Sequence, residues 1–178
     1  MTILPDVEPN RGDSVFAPLA RAIETANGLM AKIPHTLIAT LARFSIAAVF
    51  WKSGQTKIEG FAIDLISGRF TLGPPHLSAG AIDLFRDEYR LPVLPPDIAA
   101  ILAATAEHVF PVLLLLGFAT RLSAAALLGM TAVIEIFVYP DAYPTHGVWA
   151  VSLLYLMARG AGPLSLDQVI GKRRTAVA

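Results

Sequence analysis

Four apolar runs constrain this chain more than any other feature of its sequence. They cover about residues 37–57, 98–118, 122–139 and 147–159. About 20 helical residues, each rising 1.5 Å, cross a hydrocarbon core about 30 Å thick, so the first three runs are long enough to span a membrane. The fourth run is short and on length alone could be a buried or re-entrant helix. We predict that it also spans, because it returns the basic tail to the side of the N-terminus.

The composition agrees with a protein that is buried in lipid. Hydrophobic residues make up 54% of the chain and charged residues only 16%, whereas soluble domains average about 45–50% and 25%. The formal net charge is zero, so nothing favours a nucleic-acid partner. Without cysteine, the chain cannot form disulfides or cysteine-ligated iron–sulfur and zinc sites of its own. The sequence therefore predicts an all-α integral membrane protein folded as a four-helix bundle.

The segments outside the four runs predict a three-part organisation. We expect a polar arm and an amphipathic surface helix in 1–34, the membrane bundle in 35–171 and a basic tail in 172–178. The amphipathic helix, over about 15–33, would lie in the membrane surface or pack on the protein's own loops. The segment 59–96 is too long for a simple turn, and an amphipathic pattern near 78–89 indicates a structured loop between the first two spans.

The lysines and arginines outside the spans predict the orientation of the chain. With four spans, the N-terminus, the turn at 119–121 and the C-terminus share one side, which carries eight basic residues: Arg11, Arg21, Lys32, Arg121, Arg159, Lys172, Arg173 and Arg174. The opposite side carries four: Lys57, Arg69, Arg86 and Arg90. By the positive-inside rule, both termini are expected in the cytoplasm of a bacterium, with the protein in its inner membrane. The N-terminus also lacks the basic and apolar stretches of a signal peptide.

Polar side chains inside the spans are the candidate functional residues. Charged groups at membrane depth are costly, by about 2.5–3.5 kcal/mol on insertion scales, and they usually face a partner or a wet cavity. In an antiparallel bundle one set falls in the outer half of the membrane: Lys52, Gln55, Glu107, His108, Glu135 and His146. Trp51 lies at a similar height, and Lys57 approaches the outer end of the first span. Arg43 lies nearer the cytoplasmic end, where its head could snorkel to the surface.

Two interpretations of these residues remain open. The polar side chains could be interhelical ion pairs that fix the packing of the bundle. Alternatively, they could line an outward-opening pocket for a small redox or polar ligand, in which Glu107 and His108 exchange protons. Arg43, Trp51, Lys52, Gln55, Lys57, Glu135 and His146 would then bind the ligand.

Four features follow one another in a characteristic order: Arg43 in the first span, WKSGQTK at 51–57, EHVFPVLLLLGFATRLSA beginning at Glu107, and ARGAGPLSLD ending at Asp167. Together they resemble the DoxX family of small four-helix membrane proteins. The second half of this pattern contains a helix glutamate followed by a turn with Gly117, Thr120 and Arg121. The resemblance covers about residues 37–170, and the long first loop departs from the family pattern.

The resemblance implies redox or stress chemistry. Some members of the family look like membrane subunits of thiosulfate:quinone oxidoreductase, and others act with sulfurtransferase and superoxide dismutase partners. Others are associated with metal-responsive peptides and the iron-dependent enzymes that modify them. Because this chain has no cysteine, sulfur chemistry would require a partner subunit or a noncovalent route to a quinone.

Three functional hypotheses follow. The first is a redox subunit that binds a membrane quinone in an apolar slot next to proton-exchanging side chains. The second is a non-catalytic membrane anchor or scaffold for a soluble oxidoreductase or a peptide-modifying enzyme. The third is metal or haem binding through histidines, although His35, His76, His108 and His146 are widely spaced and form no metal-binding motif.

Overall fold

The computed structural model describes residues 12–64 and 67–177, and the chain divides into two units, Met1–Pro34 and His35–Ala178. In the first unit, helix α1 runs from Gly12 to Met30. The helix was predicted to reach about residue 33, and it ends three residues earlier, where a turn follows. Most of the predicted polar arm lies outside the described residues.

The second unit is mostly helical and also contains one β-hairpin. Its elements are α2 His35–Gln55, β1 Ile58–Asp64, β2 Arg69–Leu77, α3 Ala79–Asp83, a π-helical turn Leu84–Tyr89, α4 Pro96–Leu116, α5 Thr120–Phe137, a 3-10 turn Pro140–Ala142, α6 Tyr143–Arg159 and α7 Leu166–Val177.

Three of these helices, α2, α4 and α5, are long and apolar enough to cross a membrane. Their outward faces carry large exposed apolar side chains, among them Leu41, Phe44, Leu102, Leu116 and Ile136. Exposed apolar surface of this extent is unusual for a soluble monomer and is typical of a lipid-facing surface. The prediction of a helical membrane protein is therefore confirmed. Helix α6 has 17 residues and does not meet the same length requirement, so its crossing stays a prediction.

The interior is built from α2, α4, α5 and α6. Helix α2 packs against α4 and α6, and α5 packs against the same two helices. The buried core joins all four helices through large apolar side chains: Ile46, Phe50, Leu114, Leu127, Leu153 and Leu156. Alanines fill much of the remaining contact surface, including Ala39, Ala47, Ala100 and Ala124. Small residues allow helices to approach closely where the hydrophobic effect does not drive them together.

The hairpin is a correction to the prediction of a wholly α-helical fold. Strands β1 and β2 pair antiparallel, from Ile58 opposite Leu77 to Asp64 opposite Arg69. The hairpin docks on α2 through the backbone of Ile63. Its N–H donates to Gln55 Oε1 at 2.8 Å, and its carbonyl accepts from Trp51 Nε1 at 2.9 Å. These two side chains therefore occupy part of an edge that a two-stranded sheet would otherwise leave unpaired.

At the other end of the four helices, Arg43 joins α2 to the end of α4 and to the loop that follows α6. It is only 6% exposed, and its guanidinium donates to the carbonyls of Leu114 and Leu115 at 2.7 and 2.6 Å. It also donates to the carbonyls of Ala161 and Leu164 at 3.0 and 2.8 Å. The last carbonyls of a helix have no partner within the helix, and Arg43 satisfies two of those at the end of α4.

The turn between α4 and α5 is fixed by contacts with the first turn of α7. The carbonyl of Gly117 accepts a hydrogen bond from the Asp167 N–H at 2.9 Å. In return, the Asp167 carboxylate accepts hydrogen bonds from the N–H groups of Ala119 and Thr120 at 2.8 and 3.0 Å. A carboxylate in this position caps the start of α5. Two segments that carry the family resemblance therefore meet in space.

Gly117→Ala is expected to destabilise the protein. Gly117 has a φ of +64°, and an added Cβ would lie 2.5 Å from Ser165 Cβ. The left-handed conformation alone costs a side chain about 1–2 kcal/mol, and the overlap adds to this. Thermal melting of the purified chain in detergent, followed by circular dichroism, should show a lower melting temperature.

Gly129→Ala is the matched control for this substitution. Gly129 lies inside α5, and an added Cβ would meet nothing within 4 Å. Its melting temperature should be unchanged or higher, because alanine is a better helix former than glycine. Equal melting temperatures for the two variants would contradict the role assigned to Gly117.

Candidate functional site

A buried ion pair joins the end of α2 to the middle of α4. Lys57 Nζ lies 3.0 Å from Glu107 Oε1 and 2.8 Å from Oε2, and each side chain is only 4% exposed. Ser53 Oγ donates to Glu107 Oε1 at 2.9 Å and accepts from Lys57 Nζ at 3.0 Å. Charges are retained in a protein interior when they are paired and hydrogen-bonded, as here.

Gly54 allows the two helices to approach at this height. A Cβ on Gly54 would lie 2.7 Å from His108 Cε1 and 3.0 Å from Glu107 Cβ. Since real Cβ atoms do not approach other atoms so closely, a larger residue would displace the His108 ring or push α2 away from α4. The glycine therefore sets the separation at which Lys57 reaches Glu107.

His108 belongs to a second hydrogen-bond network beside this pair. Its Nδ1 lies 2.6 Å from the Ala104 carbonyl, and its Nε2 lies 2.8 Å from Gln55 Nε2. A carbonyl can only accept, so the ring proton is on Nδ1 and Nε2 accepts from the Gln55 amide. Gln55 Oε1 in turn accepts from Ile63 N–H. The imidazole therefore connects α4 through α2 to the hairpin.

An apolar groove of about 690 Å³ lies between the hairpin and α4. Its lining is mostly aliphatic and aromatic: Trp51, Ile58, Phe61, Pro75, His76, Leu77, Ile101, Ala104, Thr105, His108, Val109, Val112 and Leu113. Trp51 and His108 meet edge to face, with ring centroids 5.0 Å apart. Several lining residues of α4, including Ile101, Val109 and Val112, are also exposed on the apolar surface of the helix. The groove is therefore accessible from the lipid phase.

Glu135 and His146 form a separate pair between α5 and α6. His146 Nδ1 lies 2.6 Å from Glu135 Oε2, and the imidazole is buried against the Trp149 ring at 4.9 Å. Within residues 12–64 and 67–177, no hydrogen bond or ion pair joins this pair directly to Lys57 or Glu107.

The candidate residues were expected to surround one pocket. In the structure they lie at several separate locations. Glu107 with Lys57, and His108 with Gln55 and Trp51, lie side by side near the hairpin. Glu135 and His146 form their own pair. Arg43 lies at the opposite end of α4, where its hydrogen bonds go to backbone carbonyls. Lys52 is exposed and, in the described part of the chain, has neither a hydrogen bond nor an ion pair.

Two interactions near the hairpin end of the helices were missed by sequence reasoning. Ser53 links Lys57 to Glu107, and only its position four residues before Lys57 hinted at this role. Tyr139, at the end of α5, donates a hydrogen bond to the Glu88 carboxylate, and its ring lies 5.7 Å from that of Tyr89. The hydrogen bond to Glu88 raises the pKa of Tyr139 well above its usual range. These tyrosines connect the loop before α4 to α5.

The four histidines have different partners. His35 bonds to the Tyr155 hydroxyl, His108 to Gln55, and His146 to Glu135, while His76 lies 3.7 Å from Glu59. In the described ranges, no group of three or more histidine, aspartate or glutamate side chains is arranged to hold a metal ion.

Comparison with known proteins identifies one family. A family model described as DoxX matches residues 38–140. An uncharacterized protein of Haemophilus influenzae is 34% identical over an alignment of 138 residues, and the alignment covers 73% of this chain and 81% of that protein. No solved structure matches the chain.

Glu107→Gln is expected to destabilise the fold, because it leaves the Lys57 ammonium buried without a counter-charge. Breaking a buried ion pair from one side typically costs about 3–5 kcal/mol. Unfolding of the purified chain by SDS in mixed micelles measures the change. The double variant Lys57→Met/Glu107→Leu should be more stable than Glu107→Gln, since it removes both charges.

Lys52→Met is the matched control, because it removes a lysine from the same helix end without breaking a contact. Its stability should stay within about 0.5 kcal/mol of the unmodified chain. If Glu107→Gln were as mild as this control, the ion pair would not hold α2 against α4.

Proposed function

The chain belongs to the DoxX family, and we propose that it binds a membrane quinone, or a similar flat apolar redox ligand, in the groove between the hairpin and α4. The observation that carries the proposal is a lipid-accessible apolar groove with an imidazole and an indole in its wall. Ligand sites are typically clefts of about 300–1,000 Å³, lined mainly by apolar groups with a few polar groups that orient the ligand.

The proposed topology has four spans, with α6 crossing alongside α2, α4 and α5. At 1.5 Å per residue, the 17 residues of α6 extend about 26 Å, and the 3-10 turn before it adds to this length. Its packing against α2 and α5 favours a crossing helix over a surface helix. Both termini would then lie in the cytoplasm of a bacterium, as the distribution of lysine and arginine indicates.

His108 is the residue best placed to contact the ligand. It lines the groove, and its Nε2 accepts a hydrogen bond, so it could accept one from a quinol hydroxyl once the Gln55 amide moves aside. A quinol loses two protons and two electrons when it is oxidised; this nitrogen would take up one of the protons, and the other would be released to water. Electrons would pass to a redox partner protein, and any sulfur chemistry would belong to that partner as well, since this chain has no cysteine.

Glu107 has a different role in this proposal from the one the sequence suggested. It does not line the groove, and its carboxylate is held by Lys57 and Ser53. Its contribution would be to fix α4 against α2, so that the neighbouring His108 faces the groove. Glu135, His146 and Arg43 would act on the packing of the helices and not on the ligand.

Substitutions in the wall of the groove should weaken ligand binding. Val109→Phe places a larger side chain in the groove wall, and His108→Gln removes the imidazole; each should weaken binding of decylubiquinone by about tenfold or more. A Trp149→Phe background leaves Trp51 as the sole tryptophan, so that quenching of its fluorescence reports on the groove. Binding is titrated with the purified chain in detergent.

Leu102→Phe is the control, because Leu102 is exposed on α4 and does not line the groove. It should bind decylubiquinone like the background chain. If decylubiquinone does not bind, or if Val109→Phe and Leu102→Phe bind it equally well, the quinone proposal is wrong. The interpretation of the protein as a membrane anchor for a soluble enzyme would then be preferred.

A further inference from the structure

A second pocket, also of about 690 Å³, lies where α6 ends and where α5 and α7 begin. We propose that this pocket binds a phosphate group, carried either by an anionic lipid headgroup or by a free phosphate ion. The inference is independent of the quinone groove, because the two cavities share no lining residue.

Two arginines give this pocket its charge. Arg121 and Arg159 both line it, and both are exposed. Over the described ranges, 12–64 and 67–177, neither guanidinium forms a hydrogen bond or an ion pair. Arg121 lies against the loop, since an added Cβ on Gly160 would be 3.7 Å from its Nε. The guanidinium groups therefore remain available to an anion that enters between them.

The acidic group in the pocket does not cancel this charge. The Asp167 carboxylate accepts the N–H groups of Ala119 and Thr120 and interacts electrostatically with the buried Arg43. Its negative charge is thus already balanced by the start of α5 and by a third arginine. The positive charges of Arg121 and Arg159 are in excess.

His35 adds a hydrogen-bond donor to the same pocket. Its Nδ1 lies 2.6 Å from the Tyr155 hydroxyl. When that hydroxyl donates to Nδ1, the ring proton is on Nε2. His35 lines the pocket, with Nε2 near Gly162. This tautomer places an N–H donor beside the two guanidinium groups.

A buried hydroxyl provides a further hydrogen-bond donor in this pocket. Thr120 lines the pocket and is fully buried, and its Oγ1 has no hydrogen-bond partner among the described residues. Buried polar atoms are nearly always satisfied, so such an atom calls for an explanation. A phosphate oxygen at the base of the pocket would accept the hydrogen bond that this hydroxyl can donate.

The combination of donors selects phosphate over a smaller anion. Guanidinium groups form paired, charge-assisted hydrogen bonds to the oxygens of phosphate, and several oxygens are needed to engage two arginines and a histidine together. The pocket also lies at the ends of apolar helices that face lipid, which is the height of a phospholipid headgroup. Both a headgroup phosphate and inorganic phosphate fit this chemistry.

The test measures binding to the purified full-length chain in detergent by microscale thermophoresis. Three probes are titrated: short-chain phosphatidylglycerol, short-chain phosphatidylcholine and inorganic phosphate. Arg121→Gln and Arg159→Gln should each weaken binding of phosphatidylglycerol, phosphate or both by about tenfold, as expected for the loss of one hydrogen bond to a charged group. Arg121→Lys, which keeps the charge but not the fork, should show a smaller loss.

Arg69→Gln is the control, because it removes one positive charge from the hairpin, far along the chain from the pocket. It should bind all probes like the unmodified chain. Binding of phosphatidylglycerol alone identifies a lipid site, and binding of inorganic phosphate identifies a site for the free ion. The proposal is overturned if neither binds, or if binding is unchanged in the Arg121 and Arg159 variants. An equal loss of binding in Arg69→Gln would also overturn the proposal, because binding would then depend only on the net charge of the protein.

Discussion

The ion pair between Lys57 and Glu107 is the interaction on which the hairpin end of this protein depends. Neither charge is stable alone in an apolar interior, so each requires the other at one fixed position. That position sets how α2 lies on α4, and the close approach at Gly54 follows from it. His108, one residue after Glu107, is placed in the groove wall by the same constraint. The groove is thus shaped by a contact that is not part of it.

The opposite end of the helices is organised by a different kind of contact. Arg43 donates its hydrogen bonds to backbone carbonyls, and Asp167 accepts hydrogen bonds from backbone N–H groups. Each charged side chain therefore satisfies the end of a helix that lacks partners of its own. Arg121 and Arg159, by contrast, form no hydrogen bond or ion pair within residues 12–64 and 67–177, and the proposed phosphate site rests on them. The two ends thus use ionisable residues in distinct ways.

The apolar runs predicted the helices well and their starting points less well. The runs were predicted to begin at residues 37, 98 and 122, whereas α2, α4 and α5 each begin two residues earlier, at His35, Pro96 and Thr120. The first turn of each helix contains polar residues or proline, which suit positions where N–H groups have no helical partner. Hydrophobicity alone therefore does not identify the first turn of these helices. The hairpin was missed because its strands contain glycine and proline, and because its docking depends on Trp51 and Gln55 from another element.

Depth along a helix could be read from the sequence, but the direction of a side chain around the helix could not. Glu107 and the lysines that end the first span were expected to face each other in the outer half of the membrane, and in the structure Lys57 pairs with Glu107. Glu135 and His146 were placed at that height too, but they face each other between a different pair of helices. For Arg43, the choice between surface and interior depended on carbonyls more than 70 residues away in sequence. The direction in which a side chain points around its helix follows from the packing of the helices, which a single sequence does not display.

The docking of the hairpin has an evolutionary consequence. Trp51 donates to the carbonyl of Ile63 and Gln55 accepts from its N–H, and these backbone atoms are the same for every amino acid except proline. The strand can therefore exchange its side chains, and so alter the chemistry of the groove that it covers, without giving up its attachment. A common helical frame could in this way acquire new ligand preferences through changes confined to one short ribbon.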